Sequence, residues 1–185
     1  MLADKLRLIP FYAAFLLLLA CGKSSPEGET NTITVAQSLQ HDPAFWDYAA
    51  SSNLLQTEIS DMATEKGGTE NIRNLGRRSA DFHTQALERL RRLVAKNKRI
   101  QLPDSLGEAD KGLVQEFMLL EGEEFDTRYR DFIVSTHLAQ LDRYEEALSK
   151  ADDQETRNWL MGMRAHLREE LDLLAQPDSV VVAEQ

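Results

Sequence analysis

The sequence predicts an all-α fold: an antiparallel four-helix bundle with one extra short helix in the crossover between its second and third long helices. Three observations predict it. Between residues 44 and 176 the chain is rich in Leu, Ala, Glu and Arg, and proline occurs once, at Pro103. Apolar residues recur there at steps of three and four, and no stretch alternates with the period of two that a strand requires. Four such stretches, each about 23 to 30 residues long, follow one another with mostly short connections, and antiparallel packing buries all their apolar stripes at once.

The first helix is expected over about 44–66, with Phe45, Tyr48, Ser52, Leu55, Ile59 and Met62 on its inner face, and Gly67-Gly68 stops it. The second starts near Thr69, where Thr69 and Glu70 can cap it, and runs to about Lys98. Its inner stripe reads Ile72, Gly76, Ser79, His83, Ala86, Leu90 and Leu93. Leu102-Pro103 breaks the pattern, because proline disfavours helical geometry in the residue before it. A short helix then covers about 107–120. The third long helix runs over about 123–150, with Phe125, Tyr129, Phe132, Ile133, Thr136, Tyr144 and Leu148 inward. Asp152-Asp153-Gln154-Glu155 places acids at a helix start, beside the positive end of the dipole. The fourth continues to about Ala175 through Leu160, Met163, Leu167, Leu171 and Leu174. Trp46 and Trp159 are expected to anchor the core or its rim.

The flanks are of another kind. Residues 1–7 carry Lys5 and Arg7 against Asp4, and residues 8–20 read LIPFYAAFLLLLA without a charge. A basic start, a short apolar core and a small residue before a cleavage point are the parts of a secretory signal peptide. That apolar run falls short of the roughly 20 residues a spanning helix needs. Leu18-Leu19-Ala20-Cys21-Gly22 resembles a lipobox, which implies cleavage after residue 20 and acyl chains on Cys21. Cys21 is the only cysteine, so lipidation also accounts for an odd thiol in an exported chain. Two or three acyl chains, at about 0.8 kcal/mol per buried CH₂, hold a domain on a membrane. Gly22 supplies no inner-membrane retention signal of the Asp type, so the bacterial outer membrane is the expected address. Residues 21–43 then form the lipidated cysteine and a small, polar tether, 44–176 the helical domain, and 177–185 a loose tail.

The whole chain of 185 residues carries a formal charge of −10, and removing residues 1–20 leaves 30 acids against 19 bases. Such a surface repels nucleic acid and anionic headgroups, so no nucleic-acid partner is expected. The basic end of the second helix (Arg89, Arg91, Arg92, Lys96, Lys98, Arg99) suits the negative end of its dipole. No glycine-rich phosphate loop, CxxC, HExxH or GxSxG motif is present.

Several segments carry a family likeness across 42–174. They are the Glu58-Ile59-Ser60-Asp61-Met62-Ala63 segment, Phe82-His83-Thr84-Gln85-Ala86, Leu102-Pro103, Phe125-Asp126 with Tyr129 and then His137, and Arg164-Ala165-His166-Leu167. In order and spacing they resemble the domain of unknown function 4142 family of exported proteins. The resemblance implies a ferritin-like four-helix bundle, export, and no defined activity. It also marks departures, since Phe82 stands where that family commonly has Asp, and Thr136 and Leu138 replace acids beside the third helix's histidine.

One constellation bears on chemistry. His83, His137 and His166 fall on three different long helices at or near the inward faces, and Glu58 on the first helix is the candidate fourth member. Bundles build metal sites from facing helices in this way, and neutral imidazole is a common ligand for Zn, Cu, Fe and Ni. The blander expectation, and the favoured one, is an internal hydrogen-bond network of histidines and acids. Ala80, Val134 and Met163 stand three before the histidines, so the Glu-x-x-His pairs of a di-iron bundle are missing. No catalytic residue is assigned and no cofactor is demanded; a transition-metal ion is the candidate. The functional expectation is an envelope lipoprotein, held on the membrane through Cys21, with a non-enzymatic binding or structural role and an unidentified protein partner. Metal binding through His83, His137, His166 and Glu58 is the alternative.

Overall fold

A computed structural model describes residues 38–176. The expected signal peptide, Cys21, the tether up to residue 37 and the tail 177–185 lie outside the described residues. Among these residues the fold is all-α, with five helices and no strand. They are α1 (Pro43–Lys66), α2 (Glu70–Val94), α3 (Glu108–Met118), α4 (Gly122–Lys150) and α5 (Gln154–Ala175), preceded by one 3₁₀ turn, Leu39–His41. None of the described helices is long and apolar enough to cross a membrane.

The helix starts follow local chemistry. Asp42 accepts from the Phe45 amide at 3.1 Å while Pro43, with no N–H to lose, takes the first helical position. Thr69 caps α2 through Ile72 N, and Asp153 caps α5 through Thr156 N at 2.8 Å. The α1–α2 corner is also held from outside. The Asp126 carboxylate of α4 accepts from Gly68 N (2.7 Å), Thr69 N (2.9 Å) and Thr69 Oγ1 (2.8 Å). Gly122 opens α4 at φ +59°, a left-handed conformation that suits glycine. α2 ends at Val94, a turn short of the expected Lys98.

α1 packs on α2, α2 on α5, α5 on α4, and α4 back on α1, while α3 leans on α1. Neighbours run in opposite directions, as the cross-pairs show: Asn53 meets His83, Arg164 pairs with Glu145, and His137 meets Glu170. α1 and α2 approach so closely that a Cβ at Gly76 would stand 2.7 Å from both the Ala63 Cβ and the Ser60 carbonyl.

The apolar core is two clusters. One holds Phe45, Trp46, Ala50, Leu90, Tyr144 and Leu160; the other holds Ile59, Ile72, Phe117, Phe125, Tyr129 and Ile133. Both tryptophans are buried in the first, with indole N–H groups donating to Leu39 O (2.9 Å) and Ala86 O (3.0 Å). Between the clusters lie buried polar side chains: Asn53 and Gln56 on α1, Ser79 and His83 on α2, His137 and Gln140 on α4, Glu170 on α5. The face of α1 therefore differs from expectation. Phe45 and Ile59 are buried, but Tyr48, Ser52, Leu55 and Met62 are only half-buried, and the deepest positions include Asn53 and Gln56. Hydrophobic periodicity missed this because α1 turns polar groups toward the buried imidazoles.

Candidate functional site

The polar layer is built on its three histidines. His83, His137 and His166 converge, with ring centroids 6.1 Å apart for His83–His137 and 5.7 Å for His83–His166. Glu58 does not join them, for it is exposed on α1. The carboxylate that does is Glu170, fully buried on α5 one helical turn after His166. Sequence reasoning missed it, although a signal was present. Met163, Leu167, Glu170 and Leu174 continue one stripe at steps of four, three and four, which puts Glu170 inside.

Many polar atoms of the layer can be followed to a partner, while Gln56 Oε1 and Gln140 Oε1 have none. Asn53 Nδ2 donates to the Ala49 carbonyl at 2.7 Å, so its amide oxygen must face His83, whose Nδ1 lies 2.9 Å away. An oxygen only accepts, so His83 carries its proton on Nδ1 and leaves Nε2 as a bare lone pair. That Nε2 has no hydrogen-bond partner. Burial pushes the His83 pKa down to about 3, against an opposing pull from the Glu170 charge, so the ring is neutral.

His137 is held at both ends. Gln56 Nε2 donates to Thr136 Oγ1 at 2.8 Å, and the same nitrogen stands 3.5 Å from His137 Nδ1. With Nδ1 facing a donor, Nε2–H points the other way and donates to Glu170 Oε2 at 2.6 Å. Ser79 Oγ donates to the same oxygen at 3.3 Å. Burial works to raise the Glu170 carboxyl, but the imidazoles of His137 and His166 outweigh it and bring the pKa down to about 2. Glu170 is therefore ionised in the interior.

Its second oxygen is different. Glu170 Oε1 faces His166 Nε2 at 3.0 Å, and neither atom has another partner. Phe82 stacks flat on His166, with centroids 3.5 Å apart and planes 10° apart. His166 is the one member of the cluster with any solvent contact, its side chain being 10% exposed. One donor atom each from His83, His166 and Glu170 lies within 4.8 Å of the other two. Next to the cluster the Tyr129 hydroxyl sits 2.9 Å from Ser60 Oγ, and burial raises its pKa well above the ordinary range.

Comparison with known proteins adds one relation. The sequence model of a family described as "Domain of unknown function (DUF4142)" matches residues 28–176. No curated protein and no solved structure matches the chain.

Proposed function

The chain belongs to the DUF4142 family, and on that premise we propose an envelope lipoprotein, anchored through Cys21, whose helical domain holds a metal cation in its buried imidazole–carboxylate centre. A ferritin-like four-helix bundle is the architecture this reading adopts. The ring of contacts among α1, α2, α5 and α4 supports it, as does the single long crossover, carrying α3, from α2 to α4.

One observation carries the binding role: the buried atoms without a hydrogen-bond partner include His83 Nε2, His166 Nε2 and Glu170 Oε1, the last two facing each other at 3.0 Å, on the three residues whose donor atoms converge. Each buried polar atom left in that state costs about 1–3 kcal/mol, and a buried carboxylate charge adds to the debt. A cation satisfies all three atoms together. The competing reading, a network of hydrogen bonds alone, is favoured by the 2.6 Å His137–Glu170 contact and by the 3.0 Å approach of His166 Nε2 to Glu170 Oε1, but it leaves His83 Nε2 unanswered.

Elemental analysis of the full chain, purified in detergent without a histidine tag, tests the binding role. One ion per chain is expected, and it should be lost in His83→Ala. If neither the purified protein nor protein incubated with Zn²⁺, Co²⁺, Ni²⁺ or Fe²⁺ retains metal, the centre is a hydrogen-bond network. The anchor rests on the lipobox-like Leu18-Leu19-Ala20-Cys21. Cys21→Ser should lose acyl label and leave the membrane fraction; a variant that still sediments with membranes has another tether.

A further inference from the structure

We infer that the centre is a three-donor site, His83 Nε2, His166 Nε2 and Glu170 Oε1, for a divalent transition-metal ion of the zinc class, with His137 as a positioning residue and not a ligand. This rests on the metal reading above and divides the four groups by role.

The division follows from which atoms are already engaged. Both nitrogens of His137 face groups that hold them: Gln56 Nε2 at 3.5 Å on one side and Glu170 Oε2 at 2.6 Å on the other. His83 has one nitrogen tied to Asn53 and one bare. Glu170 shows the same asymmetry, for Oε2 takes the donors from His137 and Ser79 while Oε1 takes none. The bare atoms thus belong to the three residues whose donor atoms lie within 4.8 Å of one another. Behind them stands an outer layer of the kind that orients metal ligands: Asn53 sets the tautomer of His83, and His137 turns the carboxylate. Donor atoms about 2 Å from an ion stand roughly 3.3 Å apart in a tetrahedral set, so the 3.0 Å His166–Glu170 spacing already fits, and the His83 donor, within 4.8 Å of both, must move inward by up to about 1.5 Å.

The donor set names the ion class. Two neutral imidazoles and one carboxylate suit Zn²⁺ and its neighbours in the first transition row. Ca²⁺ asks for six to eight oxygens and Mg²⁺ for an octahedron rich in water, and this buried site offers one free oxygen. Three protein donors also leave at least one position for an exogenous ligand.

Co²⁺ is the probe, since its visible absorption reports ligand number and type. The full chain in detergent, stripped with chelator, should bind Co²⁺ with an intense low-coordination spectrum. Zn²⁺ should abolish that spectrum, and excess Mg²⁺ or Ca²⁺ should leave it unchanged. His83→Leu and Glu170→Gln should remove it. His137→Leu should keep the band shape while weakening affinity on the order of 10- to 100-fold, as loss of an outer-layer partner does. His137→Gln, which keeps a donor for Glu170, should recover most of that loss and stands in if the leucine variant does not fold. A changed band pattern in either His137 variant, or an unchanged one in folded His83→Leu, overturns the assignment of roles while the metal reading survives. Preference for Mg²⁺ or Ca²⁺ overturns the ion class. No binding of any ion by the wild-type chain defeats the metal reading itself.

Discussion

His83 Nδ1 lies 2.9 Å from Asn53 Oδ1, so a residue on α1 sets the protonation of a ring on α2. The amide cannot rotate to spoil this, since its nitrogen is spent on the Ala49 carbonyl at 2.7 Å. Asn53→Leu should therefore act twice. It leaves a buried N–H unpaired, which costs about 1–3 kcal/mol of stability. It also frees the ring to choose the wrong tautomer, which should weaken ion affinity roughly 10- to 100-fold. Urea unfolding and Co²⁺ titration on the same preparation check both. A variant that loses stability yet keeps wild-type affinity would show that the amide only fills space.

Acid should destabilise the metal-free protein from a higher pH than carboxylates alone explain. His83 is held at about 3 by burial against an ordinary 6.5. Burial works to raise the Glu170 carboxyl, but the neighbouring imidazoles outweigh it and hold it at about 2 against an ordinary 4.5. Both folded-state values lie below the unfolded ones, so the unfolded chain binds more protons and stability falls as pH falls. For His83 the loss begins near 6.5 and continues toward 3; for Glu170 it begins near 4.5. One group contributes a slope of up to about 1.4 kcal/mol per pH unit. Urea midpoints in chelator between pH 7 and 5 should drop more steeply for wild type than for His83→Asn. Equal slopes would mean that His83 is not the buried neutral ring described.

Gly76→Ala should weaken the α1–α2 contact. The added methyl would stand 2.7 Å from the Ala63 Cβ and the Ser60 carbonyl, both on the facing helix and neither at the end of a flexible chain. Forced separation of packed helices typically costs about 1–3 kcal/mol. Because Ser60 also meets Tyr129, the apolar cluster that holds Tyr129 should loosen with it. Thermal unfolding reads the effect, and a variant as stable as wild type would mean that the two helices can part without loss.

Phe82 stacks on His166, the one member of the cluster that reaches solvent. Phe82→Ala should speed both loading and chelator-driven release of Co²⁺ while changing equilibrium affinity little, since no ligand is removed. Stopped-flow exchange measures it. Unchanged rates would place the ion's route elsewhere.

The sequence made the helices easy to read and the site hard. α2 was legible almost residue by residue, because Ile72, Gly76, Ser79, His83, Ala86 and Leu90 are all buried. α1 was not, since its inner face carries Asn53 and Gln56, and periodicity arguments count polar residues as outward. The convergence of three histidines followed from their places on separate helices. The carboxylate did not: Glu58, the candidate on the first helix, is exposed. Glu170 lies on the buried stripe of α5, although charged residues are rarely interior unless paired. Its pairing with His137, 33 residues away in sequence, is a tertiary fact that local pattern does not encode.

The polar layer takes Asn53 from α1, His83 from α2, His137 from α4 and Glu170 from α5. No fragment of the polypeptide holds it. A chain emerging from the ribosome cannot complete this centre until its final helix, which carries His166 and Glu170, has docked. A protease cut that trims the last few residues of α5 would erase the centre while sparing most of the apolar interior.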